Sequence, residues 1–189
     1  MKKAILFFTA ITSVLGAGWA GYSNGSIPQT NVIESHADYY IYKDAAELAK
    51  DSELIVEAKF NGTRKTINFK HNNTIIDSAT KSSIEVVRLF KGDVGPGSVI
   101  NVYEPGYYHD QKTYVPKEGY NLMNKEGRYI LFLKKNNVDG TYVVVGGFQG
   151  KYDKNIAGAG DIRSVQRADY LGEDTHFLKL KEQVSQQFN

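Results

Sequence analysis

Apolar and polar positions alternate through Leu54-Ile-Val-Glu-Ala-Lys-Phe60. Leu54, Val56, Ala58 and Phe60 fall on one side and Glu57 and Lys59 interrupt them, the two-residue period of a half-buried strand. Ser83-Ile-Glu-Val-Val-Arg-Leu-Phe90 and Val99-Ile-Asn-Val-Tyr103 predict two more strands. Between them, Lys91-Gly-Asp-Val-Gly-Pro-Gly97 is a turn built from residues that accept unusual backbone angles. Tyr129-Ile-Leu-Phe-Leu133 is apolar throughout, short, preceded by Gly127 and followed by Lys134-Lys-Asn-Asn137, which favours a strand covered on both faces over a buried helix segment. Tyr142-Val-Val-Val145 then completes a hairpin across Asn137-Val-Asp-Gly140. Asn61-Gly62 predicts a further turn, with the polar segment up to Thr80 given no strand partner.

The period changes at both ends of this β-rich stretch. Asp44-Ala-Ala-Glu47 starts a short helix that Asp44 can cap, with Glu47 placed to reach back to the cap N–H, and the helix ends near Asp51-Ser52. Phe177, Leu180, Val184 and Phe188 recur at three- and four-residue steps after Asp174 or Thr175, so residues 175–188 predict a helix with one apolar stripe. The expected fold class is therefore α+β, mainly β: five or six short strands closing into a small barrel, flanked by an N-terminal and a C-terminal helix. Closure removes exposed strand edges, which matters in a chain with no disulfides to brace it.

Ahead of this domain, Met1-Lys2-Lys3 is a positive start and 4–15 an apolar run, followed by Gly16-Ala-Gly-Trp-Ala20 with small residues at cleavage-like spacing. Residues 1–20 are expected to be a secretory signal. Seventeen residues interrupted by Thr, Ser and Gly make a poor permanent span, and no Cys is present for lipidation. Residues 21–38 are polar, rich in Gly, Ser and Asn, and aperiodic, as a flexible tether would be. Residues 39–189 are expected to form a single domain, secreted or at the cell surface, with no membrane contact beyond the signal. Exported proteins without Cys are more natural in bacteria than among the disulfide-rich secreted domains of higher organisms.

Charge narrows the function classes. Without Lys2 and Lys3, the 23 Lys+Arg fall to 21 and match the 21 Asp+Glu. Nucleic-acid binding calls for a net basic face, so that partner class is set aside.

The segments 52–62, 84–92 and 127–133 together resemble the successive strand signatures of netrin-like domains, best known from the tissue inhibitors of metalloproteinases. The most specific element is the strand, Leu89-Phe-Lys-Gly92, strand unit at 84–103, and the same order is similar to that of exported bacterial proteins. The resemblance covers roughly 44–145, with the last helix also in its expected place. It implies a five-stranded OB-type barrel flanked by helices. Inhibition transfers poorly: those inhibitors chelate the protease zinc through an N-terminal Cys, and this chain has no Cys.

His36, His71, His109 and His176 show no metal-ligand spacing, no nucleophile elbow surrounds any Ser, and no cofactor motif is present. The glycine-rich 146–150 and 157–160 lack the lysine and hydroxyl of a phosphate loop and read as turns. Asp153 and Asp161 do not fit a calcium-loop spacing. Neither an enzyme nor a metal or cofactor site is expected. The stretch Glu104-Pro-Gly-Tyr-Tyr-His-Asp-Gln-Lys-Thr-Tyr114 stands out. Tyr107, Tyr108, His109, Asp110 and Tyr114 are the candidate binding residues, because tyrosine offers an apolar face and a hydroxyl at modest entropic cost. The competing reading packs Tyr107 and Tyr108 back over the barrel mouth. The expected function is a monomeric binding module for a protein or glycan at the cell surface; a protease inhibitor and an exported hydrolase are the alternatives.

Overall fold

Asp44 caps α1 (Ala45–Asp51), its Oδ1 accepting from the Glu47 N–H at 2.9 Å. Glu47 reaches one residue further back than predicted: it accepts from the Lys43 N–H at 2.7 Å and from the Tyr40 hydroxyl at 2.7 Å. These details come from a computed structural model, which describes residues 31–32, 39–156, 169–170 and 175–188. The predicted signal at 1–20, most of the predicted tether, the 157–160 turn, Asp161 and His36 lie outside the described residues. Within the tether stretch, β1 (Asn31–Val32) pairs in parallel with residues 113–114.

The predicted strands 54–60 and 83–90 prove to be the inner halves of two much longer ones, β2 (Leu54–His71) and β3 (Thr74–Lys91). Asn61-Gly62 does not turn the chain. It forms a bulge inside β2, with Gly62 at φ +95° and the register against β3 shifting between Phe60 and Arg64. The reversal comes at Asn72-Asn73, whose φ values of 47° and 65° are those of a tight hairpin turn matched to strand twist. The polar residues between were not recognised as strand because their ladder needs only backbone groups, and no core requires them to alternate.

β3 continues antiparallel to β4 (Val99–Glu104). After β5 (Gly106–Tyr108) and β6 (Thr113–Pro116), the chain returns as β7 (Tyr129–Lys135) and β8 (Tyr142–Val144), the predicted hairpin. β8 lies parallel to β4, and β7 pairs antiparallel with residues 54–58 of β2. The neighbours β2, β3, β4, β8, β7 and again β2 thus close a ring of five strands, and β9 (Lys151–Asp153) adds to the free end of β7. The continuous burial of Tyr129–Leu133 follows: one face lines the ring and the other is covered by the C-terminal helix.

That helix, α2 (Thr175–Gln187), buries the predicted stripe completely, with Phe177, Leu180 and Val184 at 1 % exposure or less. Phe177 stacks on Tyr152 of β9 at 5.5 Å, and Phe188 meets Phe132 of β7 edge-on at 5.4 Å. Polar contacts fix the helix further. The buried Asp169 takes the ammonium groups of Lys181 on α2 (2.6 Å) and Lys151 on β9 (3.3 Å), and accepts from the Asp153 N–H at 2.7 Å. Lys151 also lies over the rings of Tyr120 and Tyr129, at 5.2 and 5.1 Å. Gly146 and Gly147, both left-handed, form the predicted turn; a Cβ on either would stand 2.7 Å from the ring of Tyr42 or Tyr39.

Removing Asp169 leaves two buried cations without a counter-charge, so Asp169→Ala is expected to cost about 3–5 kcal/mol in chemical denaturation. A loss below 1 kcal/mol contradicts the assigned pairing. In the β7–β8 turn, the Asp139 carboxyl is held down to about 2 by the Tyr103 hydroxyl (2.8 Å), then by Thr141, with Lys81 at 3.5 Å. A depressed carboxyl favours the fold at neutral pH, and that contribution fades as pH falls through about 2. Carboxyl carbon NMR is expected to place its midpoint there, and Tyr103→Phe to move it up towards the ordinary aspartate range.

Candidate binding site at the β5–β6 hairpin

Pro105 ends β4, and the chain then folds into the β5–β6 hairpin, with Tyr107 opposite Val115 and Tyr108 opposite Tyr114. The turn is held by Asp110. Its Oδ1 accepts from the N–H groups of Lys112 and Thr113, each at 2.7 Å, and its Oδ2 from the Thr113 hydroxyl at 3.2 Å. These backbone donors, Lys112 first, hold the Asp110 carboxyl below its usual range. The His109 N–H closes the hairpin on the Thr113 carbonyl at 2.9 Å.

Two threonines dock the hairpin on the long β2–β3 ladder. The Thr80 hydroxyl donates to the Gly106 carbonyl at 2.7 Å and that of Thr66 to the Tyr108 carbonyl at 3.2 Å. Tyr114 points inward, with 6 % exposure, and its hydroxyl donates to the Tyr120 carbonyl at 2.6 Å. Burial raises the Tyr114 phenol well above its ordinary value, with the charge of Glu104 adding to the shift. Gly106 is required here, because a Cβ at that position would overlap the Tyr114 hydroxyl.

Beneath the hairpin sits a buried carboxylate that local sequence patterns did not reveal. Glu104 is fully buried and accepts from the Met123 N–H at 2.8 Å, the Tyr120 hydroxyl at 3.2 Å and the Ser82 hydroxyl. Burial raises its pKa, and Arg64, Ser82 and Met123 oppose the shift. The Arg64 guanidinium donates to the Met123 carbonyl and lies 4.0 Å over the Phe60 ring. Glu104 therefore joins β3, β4 and the 117–128 loop under the hairpin. Its partners lie 16 to 22 residues away, too far for any spacing rule to find.

The five candidate residues consequently divide into two groups. Asp110 and Tyr114 hold the hairpin together. Tyr107 is half-buried, Tyr108 is 38 % exposed with its ring 5.2 Å from that of Tyr114, and His109 is exposed. The other described histidines stand elsewhere: His71 at the β2–β3 turn, and His176 on α2, bonded to the Tyr42 carbonyl at 2.6 Å. Among the described residues, no group of three or more His, Asp or Glu is arranged to hold a metal ion. A separate shallow groove lies beside α1 and is lined by Tyr40, Tyr42, Glu47, Lys50 and Asp51. Its tyrosines are engaged with its own acids, Tyr40 with Glu47 and Tyr42 with Asp51. Set against models of known protein families and against curated proteins, the sequence matches none.

Tyr114→Phe keeps the ring and deletes the donor to the Tyr120 carbonyl. The expected loss is about 1 kcal/mol in equilibrium unfolding. An unchanged midpoint contradicts a structural role for that hydroxyl.

Proposed function

We propose that this chain is an OB-type, netrin-like barrel exported by its first twenty residues. In this reading it acts as a binding module for a protein or glycan at the cell surface, through Tyr107, Tyr108 and His109. The fold assignment is supported by the ring order, in which β2, β3 and β4 follow one another and β8 inserts beside β4 in parallel, ahead of β7. OB-type barrels use loops and strand faces at their rim for recognition, and the β5–β6 hairpin is inserted at such a rim between β4 and β7.

One observation carries the binding assignment. Asp110, Tyr114 and the two threonines satisfy the hairpin's own polar groups, so Tyr108 and His109 are held on a fixed support while remaining accessible. A partly exposed aromatic on a pre-organised hairpin loses little entropy when it is covered.

Pull-down from native culture with the mature domain is expected to recover a partner that the Tyr108→Ala, His109→Ala double variant loses by about tenfold or more. Equal recovery by both proteins removes the hairpin from the interface. Incubation with a panel of metalloproteases is expected to leave their activity unchanged; stoichiometric inhibition would replace the binding-module reading with that of an inhibitor.

A further inference from the structure

We propose that the outer edge of β2, residues 65–71, is a docking edge that accepts an extended acidic segment of a partner protein as an additional strand. β7 covers the other edge of β2 only as far as the Ala58–Tyr129 pair. Beyond the bulge at Gly62, β2 pairs with β3 alone, through to His71↔Thr74. Among the described residues, no backbone hydrogen bond reaches the far side of 65–71. The β5–β6 hairpin approaches through a Thr66 side-chain bond to the Tyr108 carbonyl and makes no backbone hydrogen bond to that edge.

A strand turns alternate residues' N–H and C=O groups to each side, so this edge presents a ready ladder for another chain. Its composition suits pairing, with Thr66, Ile67 and Phe69 favouring extended backbone, and no proline interrupts it.

The charges select the occupant. Lys65 and Lys70, five residues apart and therefore on opposite faces of the strand, are both exposed, and residues 65–71 carry no acidic residue. On the opposite strand Asp77 is already engaged by Lys117. With a lysine on each face and no acid of its own, the strand gains charge pairs from a neighbour rich in Asp or Glu, whereas a second copy would add only further lysines. This edge adjoins the hairpin at the Thr66–Tyr108 bond, but it would be read through its own backbone groups, so the inference does not rest on the role proposed for Tyr107, Tyr108 and His109.

The test uses a ten-residue peptide of alternating valine and glutamate, and a second in which lysine replaces glutamate. Amide hydrogen exchange is followed by NMR on the folded protein. The acidic peptide at millimolar concentration is expected to slow exchange of the outward amides within 65–71 by about tenfold, and the basic peptide to leave them unchanged. Lys65→Glu with Lys70→Glu, both at exposed positions, is expected to weaken binding of the acidic peptide about tenfold while the melting curve stays in place. Tyr108→Ala is expected to bind the peptide as the unaltered chain does. Unchanged exchange with the acidic peptide, or equal protection by the basic one, overturns the proposal. Protection that rises with the protein's own concentration and without peptide also overturns it, giving the edge to a second copy.

Discussion

Residues 55–58 of β2 pair along both edges, to β3 on one side and β7 on the other, and this double pairing closes the ring. Closure sets the burial of everything nearby. Leu54, Ile55, Val56 and Ala58 are at 2 % exposure or less, and even Glu57 is covered, held by Arg128 at 2.5 Å and Lys154 at 3.0 Å. Once β7 ends its contact at Ala58, no strand among the described residues pairs with that edge of β2; β4 still flanks β3 as far as the Thr80–Glu104 pair, and beyond it β2 and β3 run on as a two-stranded ribbon. The ribbon is thus the continuation of the strand that closes the ring.

The interior charges do a different task from the ring. Asp169 with its two lysines clamps α2 and β9, and Glu104 gathers the donors of the 117–128 loop beneath the β5–β6 hairpin. Buried ionic groups are costly to desolvate and add little net stability compared with apolar packing, but breaking one is expensive. Their effect is to fix one arrangement of irregular segments that have few apolar side chains of their own. The hairpin stands on such a segment, which is why its tyrosines have a defined placement without belonging to the ring.

Much of this architecture was legible in the sequence because it rests on local signals. The alternation in 54–60, the apolar run at 129–133, the Asp44 cap and the stripe from Phe177 to Phe188 each encode an element directly. The ribbon was not legible: its ladder uses backbone groups, and Asn61-Gly62 looks like a turn although the strand absorbs it as a bulge. The candidate stretch was legible as a cluster of tyrosines, but its division was not. Asp110 and Tyr114 are alike in the sequence to residues that meet solvent, and only the folded hairpin turns them to its own support. Glu104, Lys151 and Asp169 were missed because their partners come from distant strands and loops, for which no short-range pattern exists.

The seams of the ring join residues far apart along the chain: Leu54 meets Leu133, and Val102 meets Tyr142. The β2–β3 ribbon can zip from its own turn as soon as it emerges, because its contacts are local. The cylinder must wait until β8 has been synthesised, and contacts of such long span are slow to form. Until those distant seams meet, the edges of β4 and β7 have no partner, and it is the long-span pairing, not the local ribbon, that keeps them from the wrong neighbour.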